Sequence, residues 1–175
     1  MQQVYNADLA NSWGNLISRS LNMSAKYFDG CAPARPADAA AFANPLAQIA
    51  EGLYDCYAAC MDKVDYVGAK DAVMELIHAA NHYIEDCEPW GLAKDEAKHD
   101  ELAFVIYNLL EAIRIAAHLL APFMPQTSAE ALRRIACADE AQCGDLRAAC
   151  TWGGLAGGAP VEKGDPLFPR LQADK

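Results

Sequence analysis

Three side chains near the start of the chain carry planar hydrogen-bonding groups and recur every four residues: Asn11, Asn15 and Arg19. Four residues turn an α-helix by about 400°, so each side chain lies only about 40° around the helix from the one before. Amide and guanidinium groups in such a row can read the edges of nucleobases. A solvated polar face beside a buried one explains the same spacing, so the spacing alone does not assign a function.

A fourth candidate, Trp90, follows Pro89 at a break between two helical patterns and precedes Gly91. Proline donates no backbone hydrogen bond and disfavours a helical conformation in the residue before it, so a rigid corner is predicted here. An exposed indole on such a corner can stack on an unpaired base, and Lys94, one turn further on, could contact a phosphate. The alternative is a tryptophan buried in the core at a helix junction.

Two histidines, His78 and His82, have the i, i+4 spacing of zinc ligands on a helix. Ala79 stands where a metalloprotease has its glutamate, and the sequence supplies no third ligand. We therefore predict a solvated acidic helix face and no metal site. The glycine-rich stretch 153–158 lacks the Gly-Lys-Ser/Thr ending of a phosphate-binding loop, and no nucleophile motif is present. We predict no catalytic residues.

Composition limits the possible partners. The chain has 175 residues, 53% apolar and 22% charged, as expected for one globular domain. Its formal net charge of −10 argues against a large, sequence-independent nucleic-acid surface but is compatible with a small site that reads a few bases. The seven cysteines include no Cys-x-x-Cys pair, which indicates a reducing cytoplasm. We find no apolar run of about 18 residues that would predict a membrane span.

The spacing of apolar residues predicts five helices, which position these side chains. They span approximately residues 4–26, 45–63, 65–86, 95–121 and 127–136. The fourth is apolar on most sides, as expected for a central helix, and the fifth opens with a capping box at Thr127–Glu130. No stretch alternates as a strand does, so we predict an all-α five-helix bundle over 1–140 with an extended Gly/Pro-rich tail over 141–175.

Several separate segments, in the same order along the chain, resemble the C-terminal anticodon-binding domain of bacterial methionyl-tRNA synthetases. They are NADLAN at 6–11, GNLISR at 14–19, KYFDG at 26–30, NHYI at 81–84, PWGLAK at 89–94, LLAPFMP at 119–125 and PLFPR at 166–170. The resemblance covers nearly the whole chain. The Ala/Pro-rich loop 31–44 differs in length among relatives, so no role is transferred to it.

The resemblance implies a helical bundle of the class I synthetase type that binds the anticodon loop of methionine tRNA. It implies that Asn15 and Arg19 hydrogen-bond to base edges while Trp90 stacks on a splayed base. Asn11 is a further candidate one turn earlier, and Lys94 a possible phosphate contact. The tail is then expected to pack on the bundle or on the catalytic domain of the parent synthetase.

The same resemblance implies a limit on activity. The parent enzyme, a cytoplasmic methionine–tRNA ligase that uses ATP and Mg, carries its catalytic signatures (similar to His-Ile-Gly-His and Lys-Met-Ser-Lys-Ser) in a part with no counterpart here. We therefore expect this chain to need no cofactor, to bind no membrane and to activate no methionine. Its expected partners are the anticodon loop and the catalytic domain. The alternative hypothesis is a helical module that binds protein and not RNA.

Overall fold

The computed structural model describes residues 5–36, 39, 42–138 and 144–168. The α-helices α1 to α7 of these ranges span Asn15–Tyr27, Pro45–Asp62, Tyr66–Cys87, Pro89–Leu92, His99–Leu120, Pro125–Arg134 and Leu146–Ala149. A π-helical segment, Tyr5–Gly14, precedes α1, and a 3-10 turn, Glu96–Lys98, precedes α5. Five of the α-helices are long, and the described part of the chain contains no strand. The predicted all-α fold is confirmed.

The first predicted helix changes its geometry at Gly14. Asn11 lies in the π-helical segment, whereas Asn15 and Arg19 lie in α1. The α-helical angle assumed for the polar row therefore applies from Asn15 to Arg19 but not from Asn11 to Asn15, because a π-helix has more residues per turn. Periodicity could not reveal the change, since a buried stripe such as that of Trp13 and Leu16 is compatible with both geometries.

The capping box predicted at Thr127–Glu130 is wrong. The helix α6 begins two residues earlier, with Pro125 in its first turn and Met124 at the N-cap position. Proline is favoured in the first turn because its backbone conformation is already helical and it lacks an N–H that would be unsatisfied there. Ser128 is consequently inside the helix and buried, and its hydroxyl has no hydrogen-bond partner among the described residues.

The helix α5 forms the centre of the bundle, and every residue from Leu102 to Leu120 is buried. It packs against α1, α2, α3 and α6, as its nearly continuous apolar surface predicts. By length and composition the stretch Glu96–Leu120 would suffice to cross a membrane, yet its apolar window is entirely buried inside the bundle. Length and composition are weak evidence for a membrane span, because a buried core helix can have the same length and apolar content.

A buried ion pair on α5 fixes the C-terminal segment, residues 144–168, onto the bundle. Glu111 and Arg114 are 0% and 1% exposed, and Arg114 donates to both carboxylate oxygens at 2.7 and 3.0 Å. The same carboxylate accepts the consecutive backbone amides of 153, 154 and 155 at 2.6, 2.8 and 3.0 Å. These bonds compensate the cost of burying the carboxylate.

Arg114 completes this anchor by donating to backbone carbonyls of the same segment. Its guanidinium bonds the carbonyls of Ala149 and of Thr151, the latter at 2.7 Å. Gly154 passes so close that a Cβ there would come within 2.7 Å of the guanidinium carbon. Glycine at position 154 therefore permits a close approach of the backbone to a buried charge.

Candidate nucleic-acid interface

Asn15 is held in place by a second asparagine, Asn81 of α3. The Nδ2 of Asn15 donates to Oδ1 of Asn81 at 3.1 Å. Asn81 in turn donates to the carbonyl of Ser12 at 3.1 Å and to that of Ile77 at 3.0 Å. Asn81 thus links the end of the π-helical segment to α3 and limits the orientations open to Asn15.

Arg19 forms an ion pair with Glu85, one helical turn beyond Asn81 on α3. The distance from Nη1 to Oε1 is 2.5 Å, and the two side chains are 30% and 58% exposed. Exposed ion pairs of this kind contribute little net free energy, because water competes for both charges. The guanidinium is therefore oriented by Glu85 and remains accessible to a ligand that offers better acceptors.

These side chains line one depression between the first helix and α3. Its volume is about 320 Å³, and its lining residues are Asn11, Ser12, Asn15, Arg19, His78, Asn81, His82 and Glu85. Three of the predicted site residues thus meet in one place. The histidines belong to the same surface, and the described residues contain no group of three or more His, Cys, Asp or Glu that could hold a metal ion.

Trp90 is exposed, so the alternative of a core tryptophan is wrong. It lies in the short helix α4 with 39% of its surface accessible, whereas Trp13 in the core has 0%. Pro89 beside it is buried and anchors α4. Trp90 does not line the depression of Asn15 and Arg19. It follows the C-terminal end of α3, the end at which Glu85 lies.

Lys94 does not join the depression formed by Asn11, Asn15 and Arg19. It lines a separate depression of about 350 Å³ between the end of α1 and the start of α5, together with Lys26, Tyr27 and His99 and with the acidic residues Asp95 and Glu96. Lys26 lies 5.0 Å from the centroid of the Tyr27 ring. Two lysines therefore flank the helix that carries Trp90.

Three tyrosines with raised pKa values lie in the core, away from this surface. Burial raises the pKa of Tyr83, whose hydroxyl accepts a hydrogen bond from Asn108 at 3.3 Å. Burial likewise raises the pKa of Tyr57 and of Tyr107. Their hydroxyls stay protonated, and none of these residues lines the depression of Asn15 and Arg19. The interface offers hydrogen-bonding groups, one exposed aromatic ring and positively charged side chains. These are groups that bind a ligand rather than groups that transfer a proton.

Comparison with known proteins identifies the family. Residues 33–175 match the family model described as the anticodon binding domain of methionyl tRNA ligase. The chain belongs to this family. Over 170 residues it is 40% identical to methionine–tRNA ligase of Streptococcus pneumoniae, a match that covers 97% of this chain and 25% of the relative. The corresponding enzyme of Bacillus subtilis is 38% identical over 172 residues, again 97% of this chain and 25% of the relative.

Solved structures that are similar to this chain belong to the same family of enzymes. The apo methionyl-tRNA synthetase of Mycobacterium tuberculosis matches with a TM-score of 0.81 and 31% identity, covering 98% of this chain and 34% of that one. The same enzyme in complex with methionyl-adenylate gives 0.81 and 32%, covering 96% and 32%. The chain spans about a quarter of the length of the curated relatives it matches.

The sequence missed two residues of the interface, Asn81 and Glu85. Both fall in the third predicted helix, and the sequence assigns neither of them a role in binding RNA. Their spacing of four residues equals that of Asn15 and Arg19, their partners on the first helix. Two polar rows of equal spacing on neighbouring helices are the signal that would have paired them.

Proposed function

We propose that this domain binds the anticodon loop of methionine tRNA through Asn11, Asn15, Arg19 and Trp90. The observation that carries the proposal is the depression between the first helix and α3, with an exposed indole at the same end of α3. Single-stranded RNA loops are read by stacking of splayed bases on aromatic rings and by hydrogen bonds to base edges. This surface supplies both kinds of group.

In this proposal Asn15 and Arg19 keep enough hydrogen-bonding capacity to read a base. An asparagine amide has two donor hydrogens and an acceptor oxygen, and the bond from Asn15 to Asn81 uses one donor. Arginine has five donors, and Glu85 engages Nη1 of Arg19. The partners Asn81 and Glu85 hold both side chains ready, which lowers the entropy lost when RNA binds.

Lys94 and Lys26 are proposed to contact the RNA backbone beside the base stacked on Trp90. Their depression lies between α1 and α5 and includes residues of α4, the helix of Trp90. Because few phosphates are neutralised, affinity should fall only moderately as salt is raised. A small local contact of this kind is compatible with the formal net charge of −10.

We further propose that the domain serves a complete cytoplasmic methionine–tRNA ligase, in which ATP and Mg support aminoacylation at a separate catalytic domain. A second surface suits contact with such a domain. Val64, Tyr66 and Val67 are 64%, 53% and 68% exposed at the N-terminal end of α3, far along the helix from Glu85. Val64 has a φ of 61°, which is costly for a β-branched residue.

A binding experiment tests the RNA proposal. The chain is titrated into a labelled anticodon stem-loop of methionine tRNA and into the same stem-loop with a changed anticodon. We expect Trp90→Ala and Arg19→Ala each to weaken binding by about 1–3 kcal/mol. The matched control is Tyr66→Ala, which removes an exposed aromatic ring at the other end of α3 and should leave binding unchanged.

Unchanged binding by Trp90→Ala would exclude the stacking role, and failure of the unaltered chain to prefer the cognate loop would overturn the proposal. The catalytic-domain contact is tested separately. A synthetase catalytic domain is added to the chain in sedimentation experiments, and Tyr66→Ser should weaken the association while Trp90→Ala should not. The opposite pattern would contradict that contact.

A further inference from the structure

The C-terminal segment, residues 144–168, follows a fixed path across the bundle beyond its anchor at Glu111. Its residues pair in antiparallel fashion with the turn after α1. Gly158 donates to the carbonyl of Ala32 at 2.7 Å, and Ala32 donates to that of Ala159 at 2.8 Å. Val161 donates to the carbonyl of Gly30 at 2.7 Å. The path is therefore set by backbone hydrogen bonds and not by apolar contact alone.

Arg134, at the end of α6, guides the last part of this path. Its carbonyl accepts from the amide of Glu162 at 2.8 Å, and its Nη1 donates to the carbonyl of Asp165 at 2.8 Å. The Arg134 side chain is held in turn by Glu130, at 2.8 Å. The chain is thus positioned three residues before Phe168.

Phe168 is buried against Gly14. The ring side chain is 8% exposed, and a Cβ built on Gly14 would lie 3.2 Å from its Cδ2 atom. The same Cβ would lie 3.2 Å from the carbonyl oxygen of Leu9. Gly14 therefore leaves the space that Phe168 fills, and a larger residue there would displace either the ring or the helix.

This contact falls where the first helix changes from π-helical to α-helical geometry. Gly14 ends the π-helical segment, and Asn15 begins α1. Asn11 and Asn15 line a depression of about 480 Å³ together with Pro166 and Phe168. The direction of the two asparagine side chains depends on where the change occurs, because the two helix types rotate successive residues differently.

We propose that Phe168 is a positioning residue for anticodon recognition: it fixes the π-to-α transition at Gly14 and so sets the direction of Asn11 and Asn15. The inference rests on the proposed function, since the asparagines are taken as RNA-reading groups. Phe168 packs against Gly14, in the backbone between the two asparagines. The C-terminal segment thereby contributes to anticodon recognition, although its anchor at Glu111 does not contact the RNA.

The test compares two buried side chains of the same segment. Phe168→Ala removes the contact with Gly14, whereas Val161→Ala removes a side chain that is 7% exposed and keeps its backbone bond to Gly30. We expect Phe168→Ala to weaken binding of the cognate anticodon stem-loop about tenfold, the equivalent of one hydrogen bond to a base edge. The preference of Phe168→Ala for the cognate stem-loop over a stem-loop with a changed anticodon should fall as well. Val161→Ala should lower the melting temperature but not the affinity.

A second measurement keeps the inference testable without RNA. The side-chain amide signals of Asn15 in NMR spectra should shift in Phe168→Ala, return towards their original positions in Phe168→Leu and stay unchanged in Val161→Ala. Equal effects of Phe168→Ala and Val161→Ala on both readouts, or none on Asn15, would overturn the positioning role. Failure of the unaltered chain to bind the stem-loop would instead refute the proposed function.

Discussion

At the scale of single residues, Arg19 has a protein partner before any RNA arrives. It forms a 2.5 Å ion pair with Glu85, and both residues line the depression that Asn15 also lines. The same carboxylate opposes binding in two ways, because RNA must compete for the guanidinium and because a negative charge repels phosphates. Glu85 thus orients Arg19 and also lowers the affinity of Arg19 for RNA acceptor groups.

We predict that Glu85→Gln binds the anticodon stem-loop about two- to fivefold more tightly, in line with the small contribution of exposed ion pairs. The variant Glu85→Gln should also discriminate less against a changed anticodon, since Arg19 is then less restrained. Fluorescence anisotropy at fixed ionic strength measures the affinity for each stem-loop. Glu75→Gln is the control, an exposed acid of the same helix outside the depression. A loss of affinity in Glu85→Gln would show that orientation outweighs competition.

At the scale of elements, the junction between α3 and α4 determines where Trp90 points. Glu88 ends α3 in the left-handed conformation, with φ 42° and ψ 62°, and Pro89 begins α4 immediately afterwards. Left-handed backbone is unfavourable for a residue with a side chain. The reversal it produces leaves Pro89 buried and Trp90 exposed.

Glycine at position 88 should stabilise the domain. We predict that Glu88→Gly raises the free energy of unfolding by about 1 kcal/mol, because glycine adopts this conformation without a steric penalty. The same change at Glu75, in the middle of α3, should lower it by about 1 kcal/mol. Urea denaturation of both variants provides the comparison. Destabilisation by Glu88→Gly would mean that its side chain has a structural role.

The helix α6 carries an acid-sensitive cluster. Glu130 accepts from Arg133 at 2.7 and 3.0 Å and from Arg134 at 2.8 Å, and these bonds lower the pKa of Glu130 from 4.5 to about 2. A carboxyl with a lowered pKa in the folded state stabilises the protein above its unfolded pKa and loses that contribution as pH falls. The relevant window is therefore between about 4.5 and about 2.

We predict that Glu130→Gln melts at a lower temperature than the unaltered chain near neutral pH, and that the difference shrinks as pH falls through this window. Melting curves monitored by circular dichroism over a pH series measure the difference. Glu51→Gln on α2, an exposed acid, should show no such pH-dependent gap. A gap for Glu130→Gln that persists at the acid end would contradict the assignment.

At the scale of the whole molecule, the buried pair of Glu111 and Arg114 joins the central helix to the C-terminal segment. Removing one partner of a buried pair leaves an uncompensated charge, so Glu111→Leu should lower the free energy of unfolding by about 3–5 kcal/mol. The double variant Glu111→Leu with Arg114→Met should recover part of that loss. Asp55→Asn, which breaks the exposed pair with Arg147, should have a much smaller effect.

Urea denaturation followed by the fluorescence of the three tryptophans, Trp13, Trp90 and Trp152, measures these three variants. Trp13 is buried in the core and Trp152 lies in the C-terminal segment, so the signal includes both parts. If Glu111→Leu unfolds no more easily than Asp55→Asn, the pair does not anchor the segment.

The five long helices, the all-α bundle and the family can be predicted from the sequence alone, because buried stripes repeat with the period of a helix and short motifs are local. The sequence also supplied the polar row and the corner at Trp90, since their residue types and spacing are readable along the chain. The predicted helix ends were less accurate. The helix predicted to begin with the Thr127–Glu130 pattern begins at Pro125, because proline favours the first turn of a helix.

Only the tertiary structure paired Asn15 with Asn81 and Arg19 with Glu85, across 66 residues in each case. It alone showed that a helix predicted as apolar contains a buried carboxylate bonded to three amides of the glycine-rich segment. The physical reason is the same for both. Equal spacing on two helices can suggest which residues face each other, but only the packing of the helices brings them within hydrogen-bonding distance. The value of the bond depends on burial, which is known only once the chain is folded.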